Sequence, residues 1–432
     1  MAFDREELNK RRQERQEEQK FLQQQKKLLK LGVIFTAATL VLCAGALLTT
    51  WLVANRRQEP PTLQAPSTQA PVTTAPPTEP PPTIPDTVIH FVAGGDLNVT
   101  DKVVQSGIAV SGYDYTEMFL DVAPILAGSD LTAVNFEGSL YGAPYGTANK
   151  SAPVQLLQGL QRAGVDLLQA ANSQTVVNGL SGLRQTLQGI HSAGLTPLGA
   201  FADAAEFKRT GGFVIREVQG VKIAFVAFTK GMDGMGLPAG SESCVNLLYE
   251  DYNSAYQKVD TAGITKVLRA AQAEKPDVTI ALLHWGSEFN DQISKTQTKI
   301  TELLLQEGVD AIVGSHSHYV QQVKFDPAAG TLIAYSLGDF LGDGDKAGTN
   351  YSILLDIEIT KNGTTGESRV TGFDYTPIFI ADETATGGSL RLLRIPEAIT
   401  AYENRFLGSV SKETYTAMKS ALERIEARVN GK

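Results

Sequence analysis

Apolar residues fall along this chain in three regimes. The first is a continuous run: residues 31–54 are 24 consecutive uncharged and mostly apolar positions. At 1.5 Å per residue a helix of that length crosses a hydrocarbon core of about 30 Å, so the pattern predicts one transmembrane helix. The second lies between Pro60 and Pro85, where ten of the chain's 19 prolines alternate with Thr, Ala, Gln and Ser. Such a composition builds no core and predicts an extended linker over 55–87, rising ~3.1 Å per residue. In the third, from Val88 onward, short apolar runs alternate with helical periodicity.

That last pattern predicts buried strands over 88–93, 131–136, 165–170, 221–228, 278–283 and 309–313, with amphipathic helices over 180–191, 255–273 and 296–306 between several of them. Strand and helix in alternation argue for a layered α/β sheet. The later runs 331–336, 351–359 and 370–380 have no helices between them and predict antiparallel hairpins, hence a mixed sheet system. Residues 396–429 predict one or two helices on the outside. The expected order is a cytoplasmic tail (1–30), a transmembrane helix (31–54), a linker (55–87), a folded domain (88–382) and a C-terminal helical extension (383–432).

Charge orients the first segment and narrows the partners. Lys20, Lys26, Lys27 and Lys30 precede the apolar run and only Arg56 and Arg57 follow it closely, which places residues 1–30 in the cytoplasm and the domain outside. The run is long for a cleaved signal peptide and no small-x-small cleavage site precedes the linker, so it reads as an uncleaved signal anchor. Residues 88–432 hold 27 Lys+Arg against 38 Asp+Glu, a net of −11 without a basic run, which argues against nucleic acid as a partner. Two cysteines, Cys43 and Cys244, exclude a disulfide framework and a cysteine zinc site.

The chemistry collects at strand ends. Asp96 follows the first strand through Gly94 and Gly95; Asn135 and Glu137 close the second; Asn172 follows the third; His284 follows the fifth; His316 and His318 follow the sixth. In an open α/β sheet the carboxyl ends of neighbouring strands line one crevice, where ligands bind. Three of the chain's five histidines belong to this set. Residues i and i+2 of an extended segment point to one side, so His316 and His318 are expected to face one ion, with Gly314 allowing close approach. Imidazole with carboxylate suits zinc, manganese or iron, and two ions can together activate water for phosphoryl or acyl hydrolysis.

The motifs Gly95-Asp96, Asn135-Phe136-Glu137, Ala171-Asn172, His284-Trp285-Gly286-Ser287-Glu288, Gly314-Ser315-His316-Ser317-His318 and Tyr335-Ser336-Leu337-Gly338-Asp339-Phe340 resemble, in order and spacing, the CapA family of poly-γ-glutamate capsule biosynthesis proteins. That family is similar to calcineurin-type metallophosphatases, and the resemblance, over about 88–382, implies a four-layer α/β/β/α sandwich with a two-metal centre. It implies Asp96, Glu137, His284, His316 and His318 as metal ligands, with Glu137 bridging. It implies Asn135, Asn172, Trp285, Glu288 and Asp339 as further pocket residues, divalent manganese, zinc or iron as cofactors, and an anionic envelope polymer of the polyglutamate type as partner, alongside other membrane proteins of capsule assembly.

The sequence departs from the family at one element. Where the family has Asn-Asn-His followed by Leu-Asp-Tyr-Gly, this chain has Asn172-Ser173-Gln174 and then Val176-Val177-Asn178-Gly179. Ser173 replaces an amide ligand, and Gln174 replaces the imidazole expected to protonate a leaving group, a proton that an amide cannot supply near neutral pH. Asp339 stands where the family has Asn. Two roles follow: a slow or reorganised metal-dependent hydrolase or transferase, or a non-catalytic module that holds the polymer in the old crevice. The Gly-rich 231–240 stretch lacks a Lys-Ser/Thr ending and reads as a loop near the crevice, Asp343 and Asp345 read as a turn, and His90 and His191 read as packing residues.

Overall fold

The computed structural model describes residues 84–383, 388–406 and 410–431. The expected cytoplasmic tail, the transmembrane helix over 31–54 and all but the end of the linker lie outside the described residues. Among the described residues no helix is long and apolar enough to cross a membrane.

Among the described residues fourteen strands form two sheets. The first contains β1 (Thr87–Asn98), β2 (Leu131–Glu137), β3 (Leu167–Gln169), β4 (Thr196–Leu198), β12 (Tyr351–Lys361), β13 (Ser368–Asp382) and β14 (Leu390–Arg394), in the order β14-β13-β12-β1-β2-β3-β4; the short β11 (Asp339–Leu341) also pairs with β1. The second contains β5 (Phe213–Val218), β6 (Val221–Thr229), β7 (Val278–His284), β8 (Ala311–Ser315), β9 (Val323–Asp326) and β10 (Thr331–Ala334), ordered β5-β6-β7-β8-β10-β9. β1–β4 run parallel, as do β6, β7, β8 and β10, while hairpin partners sit at the margins.

Period-two alternation sorts the side chains into layers. In β1, Ile89, Phe91 and Ala93 face the space between the sheets, whereas Val92 and Leu97 face the opposite side. In β6, Val221, Ile223, Phe225 and Ala227 face inward and Ala224, Val226 and Phe228 outward. Phe91 and Phe225 meet across the gap with ring centroids 5.1 Å apart. Helices Val154–Ala163 and Gly179–Ser192 cover the outer face of the first sheet, and helices Thr261–Ala273 and Lys295–Gln306 that of the second. The order is helix, sheet, sheet, helix, as the family resemblance implies.

Several local expectations change. The helix predicted over 255–273 starts at Thr261, because the Asp260 carboxylate accepts the Gly263 N–H at 2.8 Å and fixes the N-terminus there. Residues 331–336 do not form a simple hairpin: β10 is antiparallel to β9 but parallel to β8. Within 383–432, where the sequence predicts helices alone, Leu390–Arg394 is a strand on β13. The helix Lys412–Val429 does not lie outside the core, since it sends Met418, Ala421, Ile425 and Val429 into the inter-sheet cluster.

Candidate metal centre

The carboxyl ends of β1, β2, β7 and β8 meet where the two sheets face each other, and each delivers polar side chains to one buried cluster. β1 does not stop at Ala93; it continues through a bulge at Gly94 and Gly95 to Asn98. A Cβ at Gly95 would lie 1.8 Å from the Gly338 carbonyl oxygen, the same oxygen that accepts the Asp96 N–H at 3.0 Å. Only glycine allows that approach, and the approach seats Asp96. Gly314 is under equal constraint, since its Cβ would stand 2.0 Å from the Tyr335 oxygen and 2.5 Å from Trp285 Nε1.

Asp96, Asn135, Glu137, His284, His316, His318 and Asp339 are each at most 5% exposed. Asn135 Nδ2 sits at the hub, 2.5 Å from Asp96 Oδ1, 3.4 Å from Glu137 Oε1 and 3.2 Å from His284 Nδ1. Its Oδ1 accepts from Asn172 Nδ2 at 3.0 Å, and the same Nδ2 donates to the Phe136 carbonyl at 2.7 Å, so Asn172 braces the hub from β3's end. Asp96 Oδ2 accepts the His316 backbone N–H at 2.8 Å. Potential ligand atoms gather in two groups, Glu137 with His284 and His316, and Asp96 with Glu137 and His318, each with its atoms within 4.8 Å of one another. Glu137 belongs to both.

His316 and His318 reach this cluster by a different backbone from the extended one expected. β8 ends at Ser315, and both histidines have positive φ, 85° and 59°. Left-handed geometry at two non-glycine residues costs on the order of 1–3 kcal/mol each and persists where the surroundings enforce it. The turn separates the imidazoles, with centroids 6.2 Å apart, and hands one to each ligand group instead of aiming both at one ion.

The electrostatics call for a cation. Burial raises the Glu137 carboxyl well above its usual range, and the Asp96 charge adds to the rise. Burial likewise pushes Asp339 up to about 7, against the opposing pull of His318. Burial disfavours charge on His318 as well, yet the Asp339 charge and hydrogen bond at 2.7 Å, with help from Glu288 and Glu137, overcome it and push that imidazole up to about 12. His284 is held well below its usual value by burial and by the neighbouring imidazoles, and burial takes His316 down to about 3. His316 Nδ1 is buried with no hydrogen-bond partner among the described residues. An orphaned neutral imidazole nitrogen beside buried carboxylates matches what a divalent ion needs, and this nitrogen and oxygen donor set suits zinc, manganese or iron.

The element that departs from the family is also resolved in space. Ser173 Oγ lies 3.1 Å from His284 Nε2, and Ser315 Oγ lies 3.2 Å from His284 Nδ1, so hydroxyls flank both ring nitrogens. Gln174 lines the crevice, and its Nε2 lies 3.3 Å from Asp233 Oδ2, which also places the 231–240 loop there. Glu288 Oε1 is 4.0 Å from His318 Nε2. Trp285 presents no surface to the crevice, contrary to the pocket role expected of it: it is fully buried, stacked on Tyr335 and donating to the Tyr335 oxygen at 2.9 Å. His90 is no packing residue either; its half-exposed ring pairs with Asp356 at 3.1 Å, far along β1 from the cluster.

Four residues of the site escape the strand-end pattern. Asn98 Nδ2 is 3.3 Å from both Asp339 Oδ1 and His318 Nδ1, and its signal was its place two residues after Asp96 on one strand. Phe289 stacks on His318, with centroids 5.1 Å apart. Lys150 and Lys346 line a crevice of about 220 Å³ together with Glu137, His318, Asp339 and Phe289, and no local pattern marks either of them.

The model of the family described as bacterial capsule synthesis protein PGA_cap matches residues 90–344. The PGA biosynthesis protein CapA of Bacillus subtilis (strain 168) is 28% identical over 289 residues, 66% of this chain and 69% of that protein. The capsule biosynthesis protein CapA of Bacillus anthracis is 29% identical over 262 residues, 59% of this chain and 60% of that protein. Among solved structures, the calcineurin-like phosphoesterase YfkN of Bacillus subtilis aligns at 15% identity over 79% of this chain and 100% of that one, with a TM-score of 0.42. A novel phosphatase of Mycoplasma pneumoniae aligns at 14% identity over 70% and 98%, with a TM-score of 0.43.

Proposed function

This chain belongs to the bacterial capsule synthesis protein family, and from that membership we propose that it acts in making, anchoring or exporting an anionic cell-envelope polymer of the polyglutamate type, through a divalent-metal site at the strand ends. The observation that carries this reading is the convergence of Asp96, Glu137, His284, His316 and His318, with Glu137 common to both ligand groups. In it, Asp96, Glu137 and His318 would hold one ion, and Glu137, His284 and His316 would hold a second. A bound ion there supplies Lewis acidity toward an acyl or phosphoryl oxygen and lowers the pKa of water. The chain's own residues orient and restrain: Asn135 fixes the carboxylates, Asn172 fixes Asn135, and Asp339 holds the His318 ring.

The proposal includes the chain's organisation. Residues 31–54 anchor it as a single-pass signal anchor, 1–30 stay in the cytoplasm, 55–87 act as a stalk, and the folded part stands outside the membrane. Extraction by detergent but not by alkaline carbonate, with external protease removing everything after the stalk, is the expected behaviour. Release by carbonate would refute the anchor.

A second role, holding the polymer without turning it over, is favoured by one specific feature. Ser173 occupies His284 Nε2 and Gln174 bonds Asp233, so no imidazole stands at 174 to protonate a leaving group. Losing such an acid commonly costs about 10² to 10⁴ in rate. Metal analysis of the detergent-purified chain, with turnover assays on phosphate esters and γ-glutamyl amides, separates the two. Bound metal with turnover supports the enzyme, bound metal without turnover supports the binding module, and absence of metal refutes both.

A further inference from the structure

The domain is acidic, yet the mouth of the metal crevice is lined by two lysines whose ammonium groups make no ion pair among the described residues. Lys150 comes from the segment after β2, and Lys346 from the 342–349 loop after β11. Both line the crevice with His318 and with the carboxylates Glu137, Glu288, Asp339 and Asp343, so the two ammonium groups are the positive side of a mixed rim. Lys102, Lys222, Lys258 and Lys361 are paired with carboxylates, so what sets Lys150 and Lys346 apart from the domain's other unpaired lysines is their place at the crevice.

The two lysines are held in place. Lys150 adopts φ 48°, and its carbonyl accepts the Ser139 N–H at 2.6 Å, so its stem leaves a constrained turn. Lys346 Nζ rests 3.1 Å from the centroid of Phe289. Phe289 is itself a bulky residue at φ 54°, tied by its N–H to the Ser317 carbonyl at 2.8 Å and stacked on His318. One residue before Lys346, Asp345 is clamped by Lys102, which also reaches Asp382. A cation–π contact fixes an ammonium without neutralising it, leaving its outer side open to an anion. A stack thus runs from the metal cluster, through His318 and Phe289, to a fixed positive charge at the rim.

We infer that Lys150 and Lys346, with the Phe289 ring between Lys346 and His318, recognise the carboxylates of an acidic chain whose reacting or retained group enters the crevice at Glu137 and His318. This rests on the polymer reading above and adds the residues that select the polymer by its charge. Two cations on separate loops suit a ligand carrying more than one carboxylate.

The test is anisotropy of a fluorescein-labelled γ-linked glutamate oligomer, its amidated uncharged counterpart and labelled polyphosphate, titrated with the full chain in an uncharged detergent. The wild-type chain is expected to bind the glutamate oligomer with an affinity that falls as salt rises, and to bind the amidated one more weakly. The double variant Lys150→Ala/Lys346→Ala is expected to lose about tenfold in affinity and most of the salt dependence, with metal content unchanged, and Lys150→Arg/Lys346→Arg to recover both. Oligomer binding equal in the alanine pair and the wild type overturns the rim and leaves the polymer reading standing. No binding of the glutamate oligomer by the wild type overturns the polymer reading and the rim with it. Polyphosphate bound as tightly as the oligomer overturns the selection of carboxylate.

Discussion

Ser173 Oγ stands 3.1 Å from Nε2 of His284, both groups fully buried, so the residue that departs from the family is bonded directly to a residue of the metal cluster. The hydroxyl is too short to replace an amide ligand; it holds the imidazole instead.

Replacing Ser173 therefore separates support from ligation. Ser173→Ala is expected to leave a buried imidazole nitrogen without its partner and to lower stability by about 1–3 kcal/mol in chemical denaturation. Ser173→Asn restores the amide at that position and is expected to tighten the weaker of two metal-binding steps in calorimetric titration. An unchanged second step in Ser173→Asn would show that the amide is not what the site lacks.

His316 and His318 are expected to differ in what they cost. His316 Nδ1 has no partner among the described residues, so His316→Ala should deplete bound metal while the metal-free protein melts within a few degrees of wild type. His318 neutralises Asp339, and removing it leaves a buried uncompensated carboxylate at a cost of about 3–5 kcal/mol. Metal content by mass spectrometry and melting in chelator read the two effects apart; equal destabilisation by both variants would contradict the assignment.

Stability of the chelated protein should fall as pH rises from 7 to 8.5. His318 is pushed up to about 12, so the stability it contributes is complete below its unfolded value near 6.5 and is lost progressively above that. The raised Asp339 acts in the same direction but mostly below pH 7, the raised Glu137 adds to the fall, and His284 and His316, whose values are depressed, exert their effect below 6.5. For one proton the slope is at most about 1.4 kcal/mol per pH unit. Metal must displace these protons, so its affinity should rise over the same window, with proton release visible as buffer-dependent heats in calorimetry. A melting temperature that climbs with pH in chelator would reverse the sign and refute the charge assignment.

Gly95→Ala should be far more damaging than a surface glycine change. Its Cβ would press on a backbone oxygen 1.8 Å away, forcing the β1 bulge open and moving Asp96, whereas a Cβ at Gly236 would meet nothing nearer than the Asn253 amide at 3.4 Å. Loss of metal together with several kcal/mol of stability is expected for the first, and near-neutral behaviour for Gly236→Ala.

Strand positions and the polar residues at strand ends were legible in the chain because they are local and periodic, whereas the layer order came from the family resemblance. An inward and outward alternation in 221–229 sorts itself on the pleat, and a polar residue at the end of an apolar run falls at a strand's carboxyl edge wherever the strand lies. The sequence also determined that a hydroxyl and an amide, and no imidazole, stand at 173 and 174. What it could not determine was every relation that depends on loops meeting from distant parts of the chain. The left-handed turn that sends His316 and His318 to different groups, the withdrawal of Trp285 into the core, and the meeting of Lys150, Phe289 and Lys346 at one mouth were decided by tertiary packing. Side-chain direction at a turn follows from what the two sheets leave room for, and that room exists only once they have packed.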